Sequence, residues 1–271
     1  RAFPPGHLTG LPKIATFGGS SPPPMELEQA SVLDHQPIQG GYHLLHLRAP
    51  GVAPRVQPGQ FIHVQVPHLG ECLLRRPFSV FKADGDTLAI LYKDVGKGTR
   101  TLKFLKPGES LSIMGPLGRG FPAPQAGHFP LIVAGGYGMA ALYLTARTSP
   151  VKGVAFFGGR TARDILCVDE FQKLGWQVRV TTQDGSLGRR GIVTDELDAW
   201  WAGEAAGRVP ELFVCGPSGM LKAVAGRALQ QGWTAWTSMD NNMGCGVGAC
   251  LTCVLKVHAG DTWAWARACR E

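Results

Sequence analysis

The sequence predicts an α+β multidomain protein: an antiparallel β-barrel, then an α/β domain with a parallel sheet, then a small cysteine-bearing C-terminal subdomain. Three observations predict it. Short alternating apolar segments fill residues 25–125, with turns and no helical periodicity between them. From residue 126 to 236, continuous apolar runs alternate with helix-like segments. Residues 237–271 then gather four of the chain's seven cysteines beside glycines and tryptophans.

In the first region GYHLLHLRA, GQFIHVQV, RPFSVF, DTLAILYK and ESLSIMG each pair apolar alternation with flanking Gly, Pro or Asp, the pattern of strands joined by turns. Several short strands at that spacing argue for a closed or sandwiched antiparallel sheet. MELEQASVLDHQPI, from Met25, opens the folded region. Residues 1–24, rich in Pro, Gly and Ser and without periodicity, are expected to be a disordered or surface-lying extension. In the second region PLIVAGG leads into GMAALYLTAR, VAFFGG into DILCVDEFQKL, QVRVTTQDG into TDELDAWW, and ELFVCG into PSGMLKAVAGRALQQ. Four strand-then-helix units in order make a parallel sheet covered by helices.

Composition narrows the function. With 44% hydrophobic and 17% charged residues, the chain reads as an ordinary globular protein. Its +7 formal charge is spread over separate positions such as Arg75, Arg76, Lys93, Lys97, Arg119, Arg160, Arg189 and Arg190. No basic run, zinc finger or RNA-binding aromatic signature accompanies them, so no nucleic-acid partner is expected and the charge is read as serving cofactor phosphates. No apolar run approaches the roughly 18 residues of a spanning helix, and no membrane association is expected. The uneven cysteines fit a metal site in a reducing cytoplasm better than a disulfide framework.

The sharpest signal is Cys245-x4-Cys250-x2-Cys253, followed by Cys269 after fifteen further residues. That spacing is a documented ligand pattern for a [2Fe–2S] cluster. Gly244, Gly246 and Gly248 let the intervening loop bend sharply and expose N–H groups to the sulfurs. A structural zinc site would more commonly show paired C-x2-C ligands.

Three further groups point to nucleotides. Arg75-Arg76-Pro77-Phe78-Ser79, beside Gly96-Lys97-Gly98-Thr99 and Gly115-Pro116-Leu117-Gly118, offers a guanidinium for a phosphate, an aromatic face for a ring and N–H-rich turns. Taken singly these are ordinary strand edges and hairpin turns; together they suit a cofactor. Gly135-Gly136-Tyr137-Gly138 follows a buried strand and opens a helix, where a pyrophosphate can approach the backbone. Cys215-Gly216 ends a later strand of the same sheet, so it faces the same crevice. His43, His46 and His63 lie on strand-like segments and are read as structural. With no Ser–His–Asp or paired-carboxylate signature, the chemistry is expected to be carried by bound cofactors.

The order RRPFSV, GKGT, GPLG, VAGGYGMAAL, VCGPSGML resembles the ferredoxin–NADP reductase superfamily, and the trailing cysteines narrow the resemblance to the electron-transfer subunits of class 1B dihydroorotate dehydrogenases. That resemblance covers the chain from Met25 onward. It implies a flavin-binding barrel with FAD held by Arg76, Phe78 and Ser79, and with Gly98 and Thr99 near its pyrophosphate. It implies dinucleotide phosphates at Gly135, Gly136 and Gly138, and Cys215 and Gly216 beside the nicotinamide. It implies a [2Fe–2S] cluster on Cys245, Cys250, Cys253 and Cys269. An FMN-containing catalytic subunit would oxidise dihydroorotate in pyrimidine biosynthesis, and electrons would pass through cluster and FAD to NAD+. Two copies of each subunit would make a heterotetramer. One departure is Ala141, where the family often has Pro. Related subunits also serve sulfite reductases, hydrogenases and NADH-dependent ferredoxin:NADP+ oxidoreductases, so the partner stays open on sequence alone. A zinc-stabilised binding module or redox sensor is the alternative of another class. The NAD preference comes from the resemblance, since no acidic residue can be matched to a ribose hydroxyl, and Arg160 and Arg163 could meet a 2′-phosphate.

Overall fold

The computed structural model describes residues 25–67, 70, 73–239, 241–259 and 262–270. The extension expected at residues 1–24 lies outside the described residues. Six strands close an antiparallel barrel: β1 (Glu26–Pro37), β2 (Tyr42–Arg48), β3 (Phe61–Val64), β4 (Arg76–Asp84), β5 (Thr87–Lys93) and β6 (Ser110–Leu117), in the order β1-β2-β5-β4-β3-β6. A short helix, α1 (Lys97–Leu102), bridges β5 and β6. Alternation sends Leu45, Leu47, Ile62, Val64, Val80, Leu88, Ile90, Leu111 and Ile113 into the barrel core. Closure leaves no free strand edge.

The second unit contains β7 (Phe129–Gly135), α2 (Gly138–Ala141), α3 (Tyr143–Thr148), β8 (Val154–Gly159), α4 (Val168–Lys173), β9 (Gln177–Thr182), β10 (Arg189–Arg190), α5 (Val193–Glu204), β11 (Pro210–Cys215), α6 (Ser218–Gln231) and β12 (Thr234–Ser238). Its sheet is parallel throughout, in the order β10-β9-β8-β7-β11-β12. The chain grows outward from β7 through β8 and β9, then returns to the other side of β7 with β11. The carboxyl ends of β7 and β11 therefore flank a topological switch point, where open α/β sheets bind ligands.

One apolar cluster joins the two units. Tyr42, Phe81, Ala89 and Leu91 of the barrel pack with Ile132, Ala134, Phe157 and Phe213 of the sheet. A two-stranded antiparallel hairpin follows, β13 (Val254–Ala259) and β14 (Thr262–Arg267).

The helix expected over residues 164–174 is shorter than the strand-then-helix reading predicts, beginning only at Val168. Two local causes are visible. The Asp164 carboxylate is held by Lys93 across the interface, and Cys167 takes φ +61 immediately before the helix.

Candidate functional site

A single cavity of about 1390 Å³ runs along the junction of barrel, sheet and hairpin. That volume exceeds the usual range of about 300–1,000 Å³ for a small-ligand pocket and suits a dinucleotide. Arg76, Pro77, Phe78, Ser79, Lys97, Gly98 and Thr99 all line it, so the two barrel motifs converge as the sequence predicts. The Gly118 turn joins them.

Local hydrogen bonds set these side chains. The Arg75 guanidinium donates to Ser112 O and Ser112 Oγ, both at 2.9 Å, and is thereby held on the barrel wall. Its neighbour Arg76 is the one that lines the cavity, donating to Leu74 O at 2.8 Å. A Cβ on Gly98 would lie 3.7 Å from the Arg76 side chain, so the GKGT turn and the guanidinium form one wall. Thr99 Oγ1 accepts from the N–H groups of Val95 and Gly96, each at 3.0 Å, and so fixes the shape of that turn. Tyr92 lines the cavity edge-on to Phe78, its hydroxyl 3.0 Å from His35 Nε2, and burial pushes its phenol well above the ordinary value.

The sheet closes the far end. Cys215 and Tyr137 line the cavity there. The turns after β7 and β11 interlock so closely that side chains are excluded. A Cβ on Gly138 would fall 2.2 Å from Cys215 O, and one on Gly216 3.0 Å from Gly135 N. Gly136 takes φ +58, a conformation that glycine adopts without strain. Gly135, Gly136, Gly138 and Gly216 lie in these interlocked turns and do not themselves line the cavity.

The cysteine segment supplies the third wall. Leu255 and Val257 of β13 face the cavity with their cross-strand partners Ala266 and Ala264 of β14. Cys253 and Cys269 are buried against Phe61 and Leu117 of the barrel. Phe61, Met243 and Ala268 also line the cavity, so the cluster that buries these two thiols forms part of the cavity wall.

The thiols stand as two pairs. Cys245 N–H donates to Cys250 Sγ at 3.3 Å and Cys250 N–H to Cys245 Sγ at 3.4 Å, while Cys253 is hydrogen-bonded to Cys269. Among the described residues no three His, Cys, Asp or Glu side chains converge closely enough for a single metal ion. Two adjacent thiol pairs fit a cluster with two irons. Val247 and Ala249 also donate N–H bonds to Cys245 Sγ, at 3.4 and 3.2 Å. The Thr252 hydroxyl and N–H, with the Cys245 N–H, hold the Cys250 thiol down at about 6, which favours the thiolate that ligates metal. Burial and the neighbouring Cys253 push Cys269 up to about 12. A cation beside Cys253 and Cys269 would offset that cost. A Cβ at Gly244 would crowd Cys250 Sγ at 3.0 Å, and one at Gly248 would meet Arg270 at 3.1 Å, so the loop is closed around the thiols only because these positions lack side chains.

Sequence reasoning missed Phe61, Tyr92, Phe121 and Trp265 as lining residues. They belong to no glycine or cysteine motif. The alternation of β3 placed Phe61 on a face, but nothing local said which face met the cavity.

Comparison with known proteins bears on this geometry. Residues 240–271 match the family model described as the iron–sulfur cluster binding domain of dihydroorotate dehydrogenase B. Over 249 residues the chain is 35% identical to the dihydroorotate dehydrogenase B (NAD(+)) electron transfer subunit of Desulforamulus reducens, covering 89% of this chain and 93% of that one. The subunit of the same description from Bacillus caldolyticus is 38% identical over 222 residues, covering 79% and 83%. Among solved structures, the NADH-dependent reduced ferredoxin–NADP oxidoreductase superposes with a TM-score of 0.78 at 26% identity, covering 94% of this chain and 88% of that one. The cytochrome b5 reductase domain of Ulva prolifera nitrate reductase shares the fold, with a TM-score of 0.63 at 16% identity over 78% of this chain and 97% of that domain. No helix among the described residues is long and apolar enough to cross a membrane.

Proposed function

The chain belongs to the family of dihydroorotate dehydrogenase B electron transfer subunits, and from that premise we propose that it carries electrons from an FMN-containing catalytic subunit, which oxidises dihydroorotate, to NAD+. FAD, a [2Fe–2S] cluster and NAD are its cofactors. The observation that carries the reading is the single cavity whose walls come from the barrel motifs, the Cys215 strand end and the cysteine hairpin together.

When bound, a cluster would supply one-electron transfer, a nicotinamide two-electron hydride transfer, and a flavin the capacity for both. The protein's contribution is placement. Arg76, with Pro77, Phe78 and Ser79, would hold the flavin and its phosphates against β4, and Lys97, Gly98 and Thr99 would wrap the pyrophosphate. Gly135, Gly136 and Gly138 would let the second dinucleotide approach the β7 turn, and Cys215 and Gly216 would position the nicotinamide end. Cys245, Cys250, Cys253 and Cys269 would ligate the cluster, with the backbone N–H groups of Val247, Ala249 and Cys250 donating to sulfur. Phe61, with Leu117, packs on Cys253 and Cys269 at the cavity wall. These roles divide the sequence into a flavin unit at residues 25–125, a nucleotide unit at 126–236 and a cluster unit at 237–271.

A complex with two copies of each subunit is the assembly proposed. Mixing the purified chain with an FMN-containing dihydroorotate dehydrogenase catalytic subunit tests the reading. Dihydroorotate-dependent reduction of NAD+ only when both are present supports it. Stable binding without that activity, or activity with a different catalytic subunit instead, moves the chain to another electron-transfer complex.

A further inference from the structure

His63 is fully buried on β3, and neither Nδ1 nor Nε2 has a hydrogen-bond partner among the described residues. Burial and the charge of Arg75 push its imidazole down to about 4, so it is neutral at ordinary pH and carries one N–H and one lone pair. Buried polar groups of native proteins nearly always find a partner, so an imidazole with two unmade bonds calls for one.

Its position says what that partner is. Phe61, two residues earlier on the same strand, lines the cavity, but His63 does not. The His63 ring lies instead against Gly246: a Cβ there would come within 2.8 Å of both Cε1 and Nε2. Gly246 takes φ +71 and joins Cys245 to Val247, whose N–H points at Cys245 Sγ. The unsatisfied edge of the imidazole is therefore packed on the loop that carries three of the four thiols.

Resting on the cluster reading above, we propose that His63 is a positioning residue for the iron–sulfur site, donating its ring N–H to the sulfur shell held by the Cys245–Cys253 loop. The residue joins the flavin side of the barrel to the cluster loop without touching the cavity. Each added electron places negative charge on sulfur, so a neutral N–H donor there stabilises the reduced form more than the oxidised one. Hydrogen bonds to sulfur are one of the levers a protein holds over cluster potential. Nε2 is the nitrogen nearer the loop, and donation from it leaves Nδ1 as the acceptor.

Two full-length variants, His63→Leu and His63→Gln, assembled with the catalytic subunit, test this by EPR-monitored potentiometric titration. Leucine removes both nitrogens, whereas glutamine keeps an N–H donor. The expected result is a fall in the cluster potential of His63→Leu corresponding to about a tenfold loss in its reduction equilibrium, about 59 mV for one electron. The flavin potential stays put, and His63→Gln returns most of the way to wild type. Unchanged cluster potentials in both variants overturn the proposal. Equal shifts in both, or loss of iron from both with flavin retained, also overturn it, because packing rather than the N–H would then be responsible. A wild-type chain without any cluster signal removes the underlying reading itself, and is told apart by its silence before any variant is made.

Discussion

Lys93 of the barrel and Asp164 of the nucleotide-side unit meet at 2.7 Å, closing the interface between the two units. Tyr42 joins them, its hydroxyl donating to Asp164 Oδ1 at 3.4 Å and accepting from Lys93 Nζ at 3.4 Å. The same hydroxyl lies beneath the nucleotide turn, 3.2 Å from where a Gly136 Cβ would stand. Barrel, turn and the β8–α4 connection are thus pinned at one point.

Burial alone would raise the Asp164 carboxyl, but the Lys93 hydrogen bond and charge, with Arg160, hold it below the usual carboxylate range. Burial likewise opposes the Lys93 charge, and the Asp164 hydrogen bond outweighs it and raises the ammonium above its ordinary value. The Asp164 contribution is present above the unfolded carboxylate value of about 3.9 and is lost as pH falls through the lower folded value. The Lys93 contribution is present below the unfolded value of about 10.4 and is lost as pH rises through the higher folded value. Lys93→Met is expected to lower stability to urea by about 2 kcal/mol, the scale of a charged hydrogen bond. That deficit should be flat between about pH 5 and 10 and shrink on the acid side. A deficit that grows on acidification would contradict the bridge.

Gly138→Ala places a methyl group 2.2 Å from a backbone carbonyl that cannot move without Cys215. Displacing the two turns should weaken NADH by about tenfold or more, about 1.4 kcal/mol. Flavin content should be unchanged, because the barrel motifs belong to a different wall of the cavity. Stopped-flow flavin reduction at several NADH concentrations measures this.

Arg76→Ala removes the guanidinium from the cavity wall. The flavin should be retained about 10- to 100-fold less tightly, matching about 1.5–3 kcal/mol for a charged hydrogen bond. Dilution followed by fluorescence of released flavin reads the loss. Arg75→Ala, whose side chain is bonded to Ser112, should retain flavin and lose stability instead.

Cys250→Ser keeps the loop length but replaces the thiol held down at about 6 by Thr252 and Cys245. Iron and acid-labile sulfide should fall severalfold while flavin stays stoichiometric. Cys167→Ser, at a half-buried position where desolvation pushes the thiol up to about 12, should leave iron content intact.

Much of this was legible in the sequence, for reasons that can be named. The cysteine spacing, the barrel strands and the β7 and β11 turns are local patterns, and local patterns survive translation into structure. Gly138 and Cys215 were separately visible as strand-end motifs, and the switch-point rule already placed them in one crevice. What could not be read were partnerships across the chain. Lys93 and Asp164 are 71 residues apart and share no motif. His63 read as a structural strand histidine because its strand gave no sign that Gly246 would lie against it. Asp164–Cys167 read as helix because DILCVDEFQKL follows a strand in the strand-then-helix order, whereas in the structure Asp164 is drawn to Lys93 and Cys167 takes a positive φ.

The central claim is that nicotinamide, flavin and cluster exchange electrons through one cavity. An anaerobic titration of the purified chain with NADH, followed by visible absorption and EPR, tests it most directly. The account predicts bleaching of a flavin band together with the EPR signal of a reduced [2Fe–2S] cluster. A colourless protein that carries zinc and does not react with NADH would contradict it.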